Sequence, residues 1–156
     1  MEINPTDVFV SGDSGFGYIC IGDYEKGLDL ILEAVHLNPY YPWFYNVGFC
    51  LYYLSQREVD EALFYAQRIN RPEYFLDSML QAALLGWLDK KKDASLQFER
   101  LLLIMPDFIQ KAQKLVGLFI LDDDVQSILL EGLKKAGLEV DPVVGTKIRH
   151  ISPRVK

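Results

Sequence analysis

Four prolines, Pro5, Pro39, Pro72 and Pro106, lie 34, 33 and 34 residues apart. A near-constant period of that size constrains the chain to one supersecondary unit used repeatedly, each copy burying its apolar face against the next. Two further sets of small residues recur alongside, the first at intervals of 33 and 34 residues and the second at 35 and 32. Gly15, Gly48 and Ala82 fall in the middle of segments that precede expected turns, and Gly27, Ala62 and Ala94 fall at the start of the segments that follow. At both places a small side chain lets a neighbouring helix approach closely.

The best-punctuated copy runs from Gly22 to Pro39. A glycine turn opens it, Leu28, Ile31, Leu32 and Val35 recur at helical spacing, and Asn38-Pro39 stops it. The same reading along the chain predicts eight helices, near 7–21, 24–37, 41–55, 59–69, 72–88, 91–104, 107–120 and 122–136. Residues preceding Pro39, Pro72 and Pro106 are pushed out of the helical region, which ends the helices there. Asp122 to Asp124 predict an N-cap, and Lys134, Lys135 and Gly137 a C-terminus with cations near the helix dipole and a glycine cap.

This pattern resembles the tetratricopeptide repeat, a pair of antiparallel helices recurring about every 34 residues. One repeat supplies Gly15-x-x-Tyr18, Gly27-x-x-x-Ile31-x-x-Ala34 and Pro39; the next Phe44-x-x-Val47-Gly48-x-x-Leu51, Ala62 and Pro72; the third Ala82-x-x-Leu85, Ala94-x-x-x-Phe98-x-x-Leu101 and Pro106. Ser11 and Ser14 depart from the pattern, and the second repeat has a longer turn at Ser55 to Glu58. The resemblance implies an all-α fold, a right-handed α-solenoid of three helix pairs near 7–39, 41–72 and 73–106. A capping pair near 107–137 and a basic tail at 139–156 complete the expected organisation.

Ile128 to Leu138, with Leu37 to Tyr45 and Pro106-Asp107-Phe108, resembles tetratricopeptide tails of bacterial class III nucleotide cyclases and related signalling or transcriptional regulators. No cyclase catalytic segment accompanies it. Opening at Ile3-Asn4-Pro5, the chain reads as beginning at the end of an earlier repeat.

Half of the 156 residues are hydrophobic and 13% aromatic, enough for a sizeable core. No apolar run approaches the roughly 20 residues of a membrane span, and Met1 to Pro5 lacks a signal-peptide pattern, so a cytoplasmic setting is expected. The net charge of −6 disfavours nucleic acid. Charge is also uneven, because Lys147, Arg149, Arg154 and Lys156 give residues 145–156 a charge of +4 against −10 for the rest. Cys20 and Cys50 fall in expected helices and read as small core residues.

Catalytic readings fail on context. Gly12-Asp13-Ser14-Gly15 matches the tetrapeptide around a serine-protease nucleophile, yet the only histidines, His36 and His150, lie in a second helix and the tail, with no β-barrel around them. The adjacent glycines lack the strand, lysine and hydroxyl of a phosphate loop. Asp122 to Asp124 have no calcium-loop glycine or distal glutamate, the cysteines and histidines share no ligand spacing, and Lys90 to Lys92 read as a solvated turn. No enzyme, cofactor or metal is expected.

In the tetratricopeptide architecture the first helix of each pair lines a concave face. The resemblance therefore implies an aromatic groove of Phe16, Ile19, Tyr45, Phe49, Tyr52, Tyr53, Met79, Ala83 and Trp87, suited to a peptide or helix partner; the alternative is that these aromatics are core, packed against adjacent helices or the chain's own C-terminal segment. Gly12 and Phe16 stand where a carboxylate clamp would carry lysine and asparagine, so an acidic chaperone tail is not its expected ligand. The expected function is a non-catalytic protein-binding or self-associating module; the alternative is a regulatory tail of a larger signalling enzyme or transcriptional regulator. The tail at Val143 to Val155 is expected to lie along this chain's surface or a neighbour's, its cations near acids such as Glu58, Asp60 and Glu61.

Overall fold

The computed structural model describes residues 5–140 and 148–150. Among them are eight helices: α1 (Pro5–Cys20), α2 (Tyr24–Leu37), α3 (Phe44–Ser55), α4 (Val59–Ala66), α5 (Phe75–Trp87), α6 (Lys91–Ile104), α7 (Phe108–Phe119) and α8 (Asp123–Ala136). All eight expected helices are present. α3 starts later than its apolar pattern suggests, because Pro42 keeps Tyr41 out of the helical region and the chain enters through a turn, Tyr45 N–H donating to the Pro42 carbonyl at 3.1 Å. α4 stops earlier, where Arg68 and Ile69 reach back to the Tyr65 and Ala66 carbonyls in tighter turns.

Three successive hairpins, α1–α2, α3–α4 and α5–α6, turn through one geometry. Gly22, Arg57 and Asp89 adopt φ of 90°, 62° and 57°. The residues after them, Asp23, Glu58 and Lys90, have φ/ψ of −86/70°, −89/78° and −84/65°. Their N–H groups reach back to the carbonyls of Tyr18, Tyr53 and Leu85 at 2.9, 3.0 and 3.0 Å. This satisfies carbonyls that a helix end leaves without partners. Only the first position is glycine; the other two hold a left-handed conformation at a cost of about 1 kcal/mol each.

Small residues then set the helix spacing. A Cβ on Gly15 would strike the Gly27 carbonyl, and one on Gly27 the Gly15 carbonyl, so α1 and α2 cross backbone to backbone. Ala62 and Ala94, the counterparts of Gly27, are fully buried. Around these crossings Ile31, Leu51, Leu54, Leu80, Leu84, Phe98, Leu101 and Phe108 form the core. Each contributes roughly 1.5–3 kcal/mol through burial.

The last helix pair does not extend the row. α8 packs on α5 and also approaches α3 and α6, while α7 approaches α6 and α8. The crossing with α5 is again made by glycines: a Cβ on Gly86 would meet the Gly132 carbonyl, and one on Gly132 the Ala83 carbonyl. Asp122 caps α8 as expected, its Oδ1 accepting from the N–H groups of Asp124 and Val125 at 2.8 and 3.3 Å. Its Oδ2 accepts the Tyr24 hydroxyl at 2.8 Å, and Leu121 N–H donates to the Cys20 carbonyl at 2.9 Å. The first hairpin thus holds the connector between α7 and α8. Gly137, at φ 132°, ends α8.

An antiparallel pair absent from the sequence reading follows: β1 (Leu138–Val140) and β2 (Ile148–His150), with Leu138 opposite His150 and Val140 opposite Ile148. β2 also approaches α7. The rest of the expected tail, 143–147 and 151–155, lies outside the described residues.

Candidate functional site

The groove expected from the first helices is largely interior. Ile19, Tyr45 and Met79 are 1% exposed, Phe49 is 4% and Ala83 is 0%, so these five are core rather than contact surface. Tyr45 donates to Asp13 Oδ1 at 3.2 Å, and burial followed by the Asp13 charge pushes its phenol up to about 12. Phe49 is covered by the Tyr65 ring at 4.8 Å and the Tyr41 ring at 6.5 Å.

Trp87 is half-buried beneath α8. Its indole N–H donates to the Ile128 carbonyl at 2.7 Å, and Lys135 Nζ lies 4.0 Å from the ring centre. The face of α5 bearing Met79, Ala83 and Trp87 therefore binds a helix of its own chain. Helical spacing identifies which residues share a face but not which element covers it. Gly132, interior to α8, marks a close approach, because glycine there costs about 1 kcal/mol unless close packing requires it, but it does not name the partner helix.

Phe16, Tyr52 and Tyr53 remain half-buried. Tyr52 meets Tyr53 edge-on at 5.2 Å, and Tyr53 stacks on Tyr65 at 5.5 Å. Phe16 belongs to a band of accessible rings that spacing missed, because it runs through helix starts and ends. Phe16 contacts Phe44 at 5.3 Å, Phe44 contacts Trp43 at 6.0 Å, and Trp43 stacks on Tyr74 at 5.2 Å and 17°. Next to Tyr74, Phe75 meets Phe119 at 5.7 Å. Leu118, Leu121 and Ile21 are each more than half exposed nearby in the chain or across the Cys20–Leu121 hydrogen bond.

Two clefts open beside this band. One, of about 530 Å³, lies between Pro39, Tyr41, Trp43 and Asn46 on one side and Arg68 to Arg71 on the other. The second, of about 230 Å³, is lined by Gln67, Asn70, Pro72, Asp77, Ser78, Gln81, Gln97 and Arg100. Buried polar groups shape both. Asn46 accepts the Tyr41 hydroxyl at 3.3 Å and donates to the Arg68 carbonyl at 3.2 Å, tying the α2–α3 connector to the α4–α5 connector. Asp77 accepts from Arg71 N–H at 2.6 Å and from the Gln81 amide at 2.5 Å, fixing the loop that Asn70 enters at φ 48°.

Ser14, of the protease-like tetrapeptide, lies within α1 and donates to the Val10 carbonyl at 2.7 Å. His36 is exposed on α2, and the His150 side chain lies outside the described residues. Burial raises the thiol of Cys20 to about 11 and that of Cys50 to about 12, which holds both protonated at neutral pH. Among the described residues no three His, Cys, Asp or Glu side chains are placed to share a metal ion. Nor is any helix of these residues long and apolar enough to cross a membrane.

No family model, no curated protein and no solved structure matches the chain.

Proposed function

We propose that this chain is a tetratricopeptide-like module, a solenoid segment of three helix pairs closed by α7 and α8, that acts by binding a protein partner rather than by catalysis. The observation that carries the reading is the recurrence of one turn at Gly22, Arg57 and Asp89, each followed by a buried small residue, Gly27, Ala62 or Ala94. Repeated hairpins of this kind build extended surfaces suited to contact with another polypeptide.

The partner surface we assign is the band from Phe16 through Trp43, Phe44, Tyr74 and Phe75 to Phe119. These rings combine large contact area with the hydroxyl and indole groups of Tyr74 and Trp43. Affinity capture with the purified chain tests this, run beside a Tyr74→Ser, Leu118→Ser variant whose altered residues are exposed and leave the core intact. The reading predicts a captured protein that the variant loses. An identical captured set for the two chains contradicts it.

A further inference from the structure

The two clefts share Asn70, and their combined lining is unusually rich in donors for a chain of net charge −6. Of the four arginines in residues 5–140, three line them: Arg68, Arg71 and Arg100. Five side-chain amides, those of Asn46, Asn70, Gln67, Gln81 and Gln97, line them as well. The single acid in either lining is Asp77, whose two oxygens are already engaged by Arg71 N–H and Gln81.

The cations differ in availability. Arg68 is folded over the Phe64 ring, 3.4 Å from its centre, and donates to the Phe64 carbonyl at 3.2 Å. Arg71 meets Glu73 at 3.6 Å, with both side chains about half exposed, a pairing worth little in water. Arg100 has no ion-pair partner among the described residues.

We propose that the clefts meeting at Asn70 form a track for an extended acidic peptide, with side-chain carboxylates on Arg71 and Arg100 and the main chain read by Asn70, Gln67 and Gln97. Guanidinium groups match carboxylates with two parallel hydrogen bonds, and primary amides pair with the alternating donors and acceptors of an extended backbone. Nucleic acid fits less well: no lysine lines either cleft, and Trp43 already has Tyr74 against its ring. The inference rests on the protein-binding reading above and names a partner chemistry for it.

Fluorescence anisotropy of the full chain with a labelled, end-blocked hexapeptide (Glu-Tyr-Asp-Glu-Pro-Gly) tests the track against the same peptide carrying Gln and Asn in place of its acids. The acidic peptide should bind at least about tenfold more tightly, with the advantage shrinking as ionic strength rises from about 0.02 to 0.2 M. An Arg71→Gln, Arg100→Gln variant, changed only at exposed side chains, should lose about tenfold for the acidic peptide alone. Equal affinity for the two peptides overturns the charge assignment while leaving a protein-binding surface in place. Unchanged affinity in the arginine variant overturns the location, and failure of the acidic peptide to bind overturns the track. Binding of a phosphoserine version without binding of the glutamate version overturns the carboxylate chemistry. The capture experiment with Tyr74→Ser, Leu118→Ser reads the wider function independently.

Discussion

Tyr24 donates its hydroxyl hydrogen to Asp122 across 98 residues of sequence, at 2.8 Å, and the same carboxylate caps α8 with its other oxygen. One side chain thereby starts the last helix and fastens it to the first hairpin. Asp122→Ala removes both roles, which are worth about 1 kcal/mol for the cap and about 1 kcal/mol or more for the part-buried phenol left without its acceptor. Urea unfolding should show a loss of about 2–3 kcal/mol, with about 1 kcal/mol restored in Asp122→Asn, whose single amide oxygen keeps the helix cap while its NH2 group cannot accept the Tyr24 hydroxyl hydrogen.

Burial, then the hydrogen bond to Asp122, raise the Tyr24 phenol above its ordinary value of 10.0. The folded state then keeps a proton that the unfolded chain releases, so this contribution is fully present below about pH 10 and is lost as pH rises through the folded value. Stability measured against pH for the wild type and Tyr24→Phe should differ by a constant amount below pH 10, and the difference should shrink above it. A difference that grows with alkalinity contradicts the assignment.

Glycines inside the helices divide into two kinds. Gly132 faces the Ala83 carbonyl with no room for a Cβ, whereas a Cβ on Gly17 meets nothing within 4 Å. Gly132→Ala should destabilise the protein by about 1–3 kcal/mol through overpacking, despite its better helix propensity. Gly17→Ala should stabilise it by about 0.5–1 kcal/mol. Thermal melts of the two variants, shifted in opposite directions, check both.

Cys50 is fully buried and Cys20 partly so, with both thiols raised by desolvation. A thiol reagent at pH 8 should label Cys20 slowly and Cys50 only as fast as the protein opens, and denaturant should make the two equal. Prompt labelling of Cys50 in the native protein would contradict its place between the helices.

The eight helices and the small residues at their crossings were legible because period and punctuation are local properties of the chain. Asp122 and Gly137 were readable as caps for the same reason. The face buried by each helix was also readable, and this is where the expected groove went astray. Tyr45, Phe49 and Met79 lie on apolar faces whether a partner or the chain itself covers them. What decides the matter is the destination of α8, set by a contact between Gly86 and Gly132 that no local pattern encodes. The two clefts were missed because their donors come from three separate stretches, around Asn46, Asn70 and Arg100, brought together only by the packing of α3 to α6. The strand pair went unseen because three-residue strands carry too little alternation to register.

α8 occupies the face of α5 that carries Trp87, and the two tryptophans of the chain allow this to be read directly in solution. In a proton NMR spectrum of the labelled protein, nuclear Overhauser contacts should link the Trp87 indole to the α-protons of Gly132 and to the Lys135 side chain, and its N–H should exchange more slowly than that of Trp43. A Trp87 N–H that exchanges as fast as that of Trp43, with no contact to Gly132, would place α8 elsewhere and contradict the account.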